Sequence, residues 1–169
     1  MILALDLSSH CGWAVGGPNG APTFGVWELA KIENGDCGAL IDSFYAALTN
    51  HVSFFKPSLI VYECDLSLHR QNPDTTALMQ MGLVCATQHV GHCHGVKRLA
   101  QDAGTARKLV LGQYRFPKGT AKDYVLAWCG VMGYRTRDHN AGDALVLWNY
   151  AVATTKRIRL AQRAIDRDG

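Results

Sequence analysis

The sequence predicts an α/β domain built on a mixed sheet, an antiparallel meander joined by parallel strands, with helices on its faces. Three observations carry this. Two short, almost wholly apolar runs, Ile2–Leu7 and Ser58–Tyr62, read as buried strands, and each brings an acid to its end, Asp6 and Glu63. Gly17-Pro18-Asn19-Gly20 marks a tight connection between antiparallel strands. From Cys37 to Phe55 the residues Leu40, Ile41, Phe44, Tyr45, Leu48 and Val52 recur at helical spacing, as in a helix that crosses back over a sheet.

The meander comprises Ile2–Leu7, Cys11–Gly16 and Thr23–Leu29, closed by Asn34-Gly35. Pro57 ends the long helix. A polar loop, Asp65–Asn72, follows the second acid, and Pro73 suits the first turn of a helix over Asp74–His89. An extended piece is expected near His92–Val96, then helices over Ala100–Leu111 and Thr120–Met132, with Gly133 as a stop. The last helix begins near Asp138–Asn140 and carries Ala144, Leu145, Leu147, Trp148 and Tyr150. Residues 1–155 are expected to form one domain, and 156–169 a basic helical extension or tail. Trp13, Trp27, Trp128 and Trp148 all lie on predicted elements and read as core.

With 169 residues, 48% hydrophobic and 18% charged, the chain belongs with compact domains rather than disordered or fibrous ones. The six cysteines are scattered without CxxC pairs, and the start MILALDLSS lacks the basic flank and long apolar core of a secretory signal. Reduced thiols and a cytoplasmic location are therefore expected, in the host cytoplasm if the chain is phage-encoded. No apolar run approaches the roughly twenty residues of a membrane span. His89, His92, Cys93 and His94 have the chemistry of zinc ligands, but no second ligand pair stands at finger spacing. The formal charge of +3 is unevenly placed: Lys97–Arg137 holds nine basic residues against two acidic ones, while 1–60 and 61–96 are net acidic. Such asymmetry marks a polyanion-binding face, with a solvated helical surface as the competing account.

Asp6, Glu63 and Asp143, the last in DHNAGDALVLW, are the candidate catalytic acids. Brought into one crevice, three carboxylates too close to ionise freely are stabilised by hard divalent cations, Mg2+ by preference with Mn2+ as a substitute. Two ions about 3.5–4 Å apart support in-line hydrolysis of a phosphodiester by activating water and stabilising the leaving 3′ oxygen. Singly, each acid has a plainer use: Asp6 as a turn cap, Glu63 as a lysine partner, Asp143 as favourable charge near a helix start. Lys97, Arg98, Arg107, Lys108, Arg115, Lys118 and Lys122 are candidate phosphate contacts, which position a duplex without reading its bases. Arg107 and Lys108 serve equally well as an ordinary exposed helix face.

ILALDLSSHCGWAV, PSLIVYEC and NAGDALVLWNYA resemble, in that order, the first strands, the second acidic strand and the last acid-bearing helix of the RuvC Holliday junction resolvases. RKLVLGQYRFPKGTAKDYVLAWCGVMGY is similar to the phage and prophage branch of that family, where a lysine-bearing helix precedes the final acidic one. The resemblance runs from Met1 to about Ala151. It implies an RNase H-like fold and a metal-dependent, structure-selective endonuclease that resolves four-way junctions or other branched DNA. It also implies Asp6, Glu63 and Asp143 as metal ligands and Lys122 beside the scissile phosphate. Where the family has a fourth acid or a histidine, three residues before the last Asp, this chain has Asn140, with His139 and Asp138 as neighbours able to substitute. Asn140 is the preferred fourth ligand, and Asp138 reads rather as a helix cap. Leu66 or Leu68, after the second acid, is the candidate for an apolar residue inserted at the branch point, with core burial as the alternative.

A homodimer is expected, because a four-way junction is itself two-folded and needs two opposed nicks. The helix over Asp74–His89, with Ala77, Leu78, Met81, Gly82 and Cys85, is the interface candidate; covering the sheet is its other use. Two different readings compete. A strand ending in Asp before Ser-Ser and Gly also opens the phosphate hairpin of actin-like ATPases, and ILALD is shared with tRNA threonylcarbamoylation proteins. The single lobe stands against the first, and the presence of Glu63 and Asp143 against a truncated, non-catalytic relative of the second. The other competitor, a junction-binding protein without catalysis, is motivated by Asn140.

Overall fold

The computed structural model describes residues 1–64, 75–113 and 115–168, with side chains as far as Lys156. Among these the elements are β1 (Ile2–Asp6), β2 (His10–Gly16), β3 (Thr23–Glu28), α1 (Gly38–Phe55), β4 (Leu59–Glu63), α2 (Thr75–Cys93), β5 (Lys97–Gln101), α3 (Ala103–Leu111), α4 (Ala121–Val131) and α5 (His139–Asp168). The five strands form one sheet in the order β3-β2-β1-β4-β5. β1, β2 and β3 pair antiparallel, whereas β4 joins β1, and β5 joins β4, in parallel. This is the mixed, RNase H-like sheet that the sequence predicts.

The sheet is covered on both faces, which explains why central β1 has no polar residue before Asp6. Its alternation divides the core in two: Leu3 and Leu5 pack with α1 and α2, Ile2 and Ala4 with α5. Helix α1 presents Leu40, Phe44, Leu48 and Val52 as a four-residue-spaced stripe and ends at Lys56, whose left-handed backbone (φ 47°) lets its N–H reach the Val52 carbonyl. On the opposite face α5 buries Ala144, Leu145, Leu147, Trp148 and Ala151. It then continues unbroken to Asp168, so the basic extension is helical.

The second half departs from the predicted boundaries in one place. His92 and Cys93 end α2 instead of forming an extended piece, because Gly95, at φ 64°, turns the chain while its N–H bonds the His92 carbonyl. The strand falls five residues later than expected, at KRLAQ, where Lys97, Arg98 and Ala100 are exposed on the sheet edge. Helix α3 consequently starts at Ala103, capped by Asp102, whose carboxylate accepts from the Thr105 N–H at 2.7 Å. Cys93 is exposed on the helix beside His89, with Sγ 3.6 Å from Nε2. No described helix is long and apolar enough to cross a membrane.

Candidate active site

Parallel pairing of β1 and β4 puts Leu5 opposite Tyr62, so the next residues, Asp6 and Glu63, leave the sheet side by side at the same end. The third acid arrives through a glycine. Asp6 is paired with Gly12 across the β1/β2 ladder, and a Cβ on Gly12 would collide with the Asn140 carbonyl and the Ala141 nitrogen. Without that side chain, the first turn of α5 sits directly on the strand, and Asp143 lies one turn further along. Asp138 fixes that helix start: its Oδ1 accepts from the N–H groups of Asn140 (2.8 Å) and Ala141 (3.1 Å). Helix α4 closes on the same turn, since a Cβ at Gly142 would lie 2.9 Å from Val125 Cγ1.

Arg107, from α3, completes the cluster. Its Nη2 donates to Asp143 Oδ1 at 2.8 Å and its Nε to the same oxygen at 3.3 Å. The pair is largely withdrawn from solvent, with side chains 23% and 12% exposed. Burial, and then the charges of Glu63 and Asp143, push the Asp6 carboxyl well above the usual range. Burial and Asp143 push Glu63 upward too, while Arg107 pulls both back. The hydrogen bond between them raises Asp6 and lowers Glu63, so of the two Asp6 takes up a proton the more readily. Arg107 itself is held charged: burial opposes its charge, but Asp143, Glu63 and Asp6 together outweigh burial.

The crevice therefore holds more negative charge than its surroundings solvate, all of it on hard oxygen donors. That donor set suits Mg2+ or Mn2+. In this arrangement Asp143 is turned onto Arg107, and among the described residues no three His, Cys, Asp or Glu side chains converge at ligating spacing. A divalent ion would have to take Asp143 beside the guanidinium or in its place. The nearby thiols are poor nucleophiles: burial, with the Asp6 charge, pushes Cys11 up, and burial, with the Asp143 charge, pushes Cys129 to about 11.

The remaining predicted residues are placed as follows. Arg107, expected on the exposed basic face, lies in the carboxylate cluster instead. Lys108, Arg115, Lys118 and Lys122 are exposed and have no ion-pair partner among the described residues. Lys122 precedes by one turn Val125, which touches the α5 turn bearing Asp143. Lys97 and Arg98 begin β5, whereas the acid end of β4 is level with Gln101, about 13 Å along the strand. The stem of Arg98 packs over Gly91, and its Nη1 donates to the Val96 carbonyl at 3.4 Å. Asp138 is occupied as a cap. His139 has a buried Nδ1 with no hydrogen-bond partner among the described residues. Leu66 and Leu68 lie outside the described residues. Sequence reasoning missed Gly12 and the true place of Arg107. A glycine inside a strand signals close backbone approach, which was a usable clue to Gly12.

Fold and crevice together define an RNase H-like domain with an acidic site at the carboxyl ends of β1 and β4. No protein-family model matches the chain, and no curated protein matches it. Among solved structures it is similar to RuvC of Thermus thermophilus, with a TM-score of 0.66 at 19% identity over 92% of this chain and 95% of that one. It also resembles T. thermophilus RuvC in complex with a Holliday junction substrate, with a TM-score of 0.70 at 17% identity over 92% and 94%. The yeast mitochondrial Holliday junction resolvase superposes with a TM-score of 0.53 at 14% identity over 97% and 83%. The structural neighbours are thus Holliday junction resolvases that share this fold across most of their length.

Proposed function

We propose that the chain is a divalent-metal-dependent endonuclease that resolves four-way junctions or other branched DNA by phosphodiester hydrolysis. The observation that carries this reading is the meeting of Asp6, Glu63 and Asp143 at one end of a sheet whose structural neighbours are junction resolvases. Asp6, Glu63 and Asp143 hold Mg2+, or Mn2+ in its place, with Asn140 as fourth ligand. Two bound ions would supply activation of water and neutralisation of charge on the scissile phosphate. Asp6 gives up its proton as the site loads, so that both strand-end carboxylates present bare oxygens. Lys108, Arg115, Lys118 and Lys122 hold phosphates of the DNA arms, and Lys122, nearest the acid-bearing turn, stabilises charge developing in the transition state.

The active unit in this reading is a homodimer. On α2, Met79, Leu83, Ala86 and Val90 are buried, and Gly82 is pressed against Ile41 of α1. Gly82 therefore serves the chain's own packing, and the surface left for a partner is Leu78, Met81 and Cys85, at spacings of three and four residues. Sedimentation of the free protein and its junction complex tests this; a monomer in both refutes it.

The nuclease reading is tested with Asp6→Asn, Glu63→Gln and Asp143→Asn on a panel of four-way junctions, forks, flaps and plain duplex. Each variant is expected to lose cleavage in Mg2+ while still binding the junction, because ligands act on the chemical step and lysines on affinity. Tight binding by the unaltered protein with no nicks in Mg2+ or Mn2+ would establish the non-catalytic binder instead.

A further inference from the structure

The ion pair between Arg107 and Asp143 makes sense only in relation to what else seeks that carboxylate. A surface arginine seeking a phosphate gains nothing from folding back into its own protein, yet both Nε and Nη2 of Arg107 are spent on a single oxygen of a proposed metal ligand. The geometry is built in from α3. Asp102 caps the helix through Thr105, Ala106 is buried against the α5 side of the sheet, and Arg107 follows directly. Helix α3 packs along α5, so the guanidinium faces the acid-bearing turn without any loop rearrangement. Arg107 is also the one positive charge among the described residues that acts on both strand-end acids.

We propose that Arg107 is an exchangeable counter-ion that occupies Asp143 while the site lacks metal and so sets how tightly the site takes a divalent cation. This rests on the reading of Asp6, Glu63 and Asp143 as a metal site. Both N–H donors sit on Asp143 Oδ1, so a cation that takes this carboxylate, by displacing them or through Oδ2 beside them, meets the positive charge of the guanidinium. Its charge then opposes the incoming ion until a phosphate receives it. Branched DNA supplies that phosphate, and DNA binding and metal binding therefore support one another through this side chain, reciprocally, as linkage requires. The competing account is a fixed structural ion pair, in which Arg107 braces α3 against α5 and has no influence on metal affinity beyond its effect on folding.

The test compares the unaltered protein with Arg107→Met, which keeps the stem and removes the charge, and Arg107→Lys, which keeps the charge. Mn2+ is titrated calorimetrically without DNA, and melting temperature is followed with and without Mn2+. Arg107→Met is expected to bind Mn2+ on the order of tenfold more tightly, as when a unit charge a few ångström away is removed from a partly solvated site. Its metal-free form is expected to melt lower, and its gain in melting temperature on adding Mn2+ to be larger. Arg107→Lys should stay close to the unaltered protein in both measurements. A folded Arg107→Met with unchanged or weaker Mn2+ affinity overturns the proposal and leaves the metal site standing. If neither protein binds Mn2+ and Asp143→Asn changes nothing, the metal reading falls and the proposal with it.

Discussion

Gly12 offers the sharpest test of how the site is assembled, because it lies far from any proposed ligand in chemistry but not in space. A methyl group added there, Gly12→Ala, would run into the Asn140 carbonyl, which is backbone and cannot rotate away. Restoring ordinary contact means that the first turn of α5 withdraws from β2 by well over an ångström, roughly 1.5 Å. Overpacking of this kind costs about 1–3 kcal/mol, and for a chain of this size each kcal/mol lowers the melting temperature by roughly 2–4 °C. A loss of about 2–12 °C is therefore expected. The same displacement moves Asp143 relative to Asp6 and Glu63, and a misplacement of about 1 Å in a catalytic constellation can cost on the order of 100-fold in rate. Junction binding should change little, since Lys108, Lys118 and Lys122, the lysines proposed to hold phosphates, lie on α3, α4 and the connection between them. Gly130→Ala is the control: nothing lies within 4 Å of a Cβ there, and the residue is within helix α4. It should gain about 0.5–1 kcal/mol and cleave normally. A Gly12→Ala protein that melts and cleaves like the unaltered one would show that α5 is not positioned by this contact.

Asp6→Asn should stabilise the metal-free protein in a pH-dependent way. Because the folded state raises the Asp6 carboxyl above its unfolded value, the favourable contribution of its protonated form is complete in acid and lost as pH rises through the raised value. The variant's advantage in melting temperature should thus be absent near the unfolded carboxylate range and grow toward neutrality; a constant advantage at all pH values would contradict the assignment. Lys122→Ala should slow cleavage more than it weakens junction binding, and equal losses measured by single-turnover kinetics and gel shift would make it an ordinary phosphate contact. For the fourth ligand, Asn140→Ala should lose activity at low Mg2+ and recover part of it at high Mn2+. Full activity of Asn140→Ala alongside loss in His139→Ala would transfer the role to His139, whose buried Nδ1 has no partner among the described residues.

What the sequence revealed and what it concealed follow from how each feature is encoded. β1 and β4 were legible because strands covered on both faces must be apolar throughout, and an acid ending such a run stands out against it. The last helix was legible for the same reason, through the density of Ala144, Leu145, Leu147 and Trp148. β5 was not. As an edge strand with Lys97, Arg98 and Ala100 facing solvent, it carries neither an apolar run nor a clean alternation, and its pairing with β4 is stated only by the fold. The basic stretch was legible as charge but not as geometry. Arg107 and Lys108 are adjacent and chemically alike, yet one turns to Asp143, 36 residues away, and the other to solvent. Helical spacing separates their directions, but only the packing of α3 on α5 says which direction meets the acids.

If the site takes a metal as proposed, the folded chain must tolerate three carboxylates in one crevice before the ion is bound. Left fully ionised and unpaired, they would carry three negative charges in a poorly solvated space, and the strands and helix bearing them would be driven apart. Two features relieve this: the raised carboxyl of Asp6, which takes up a proton more readily than an ordinary carboxylate, and the guanidinium on Asp143. With both in place roughly one net negative charge remains. That residue of charge is small enough for the packing of α5 on β2 to hold, and it still attracts a cation. In the proposed reading each is exchanged in turn, the proton to solvent and the guanidinium to a phosphate. In that reading the exchange asked of the site is of one side chain and one proton, with the strand ends and the helix start left in place.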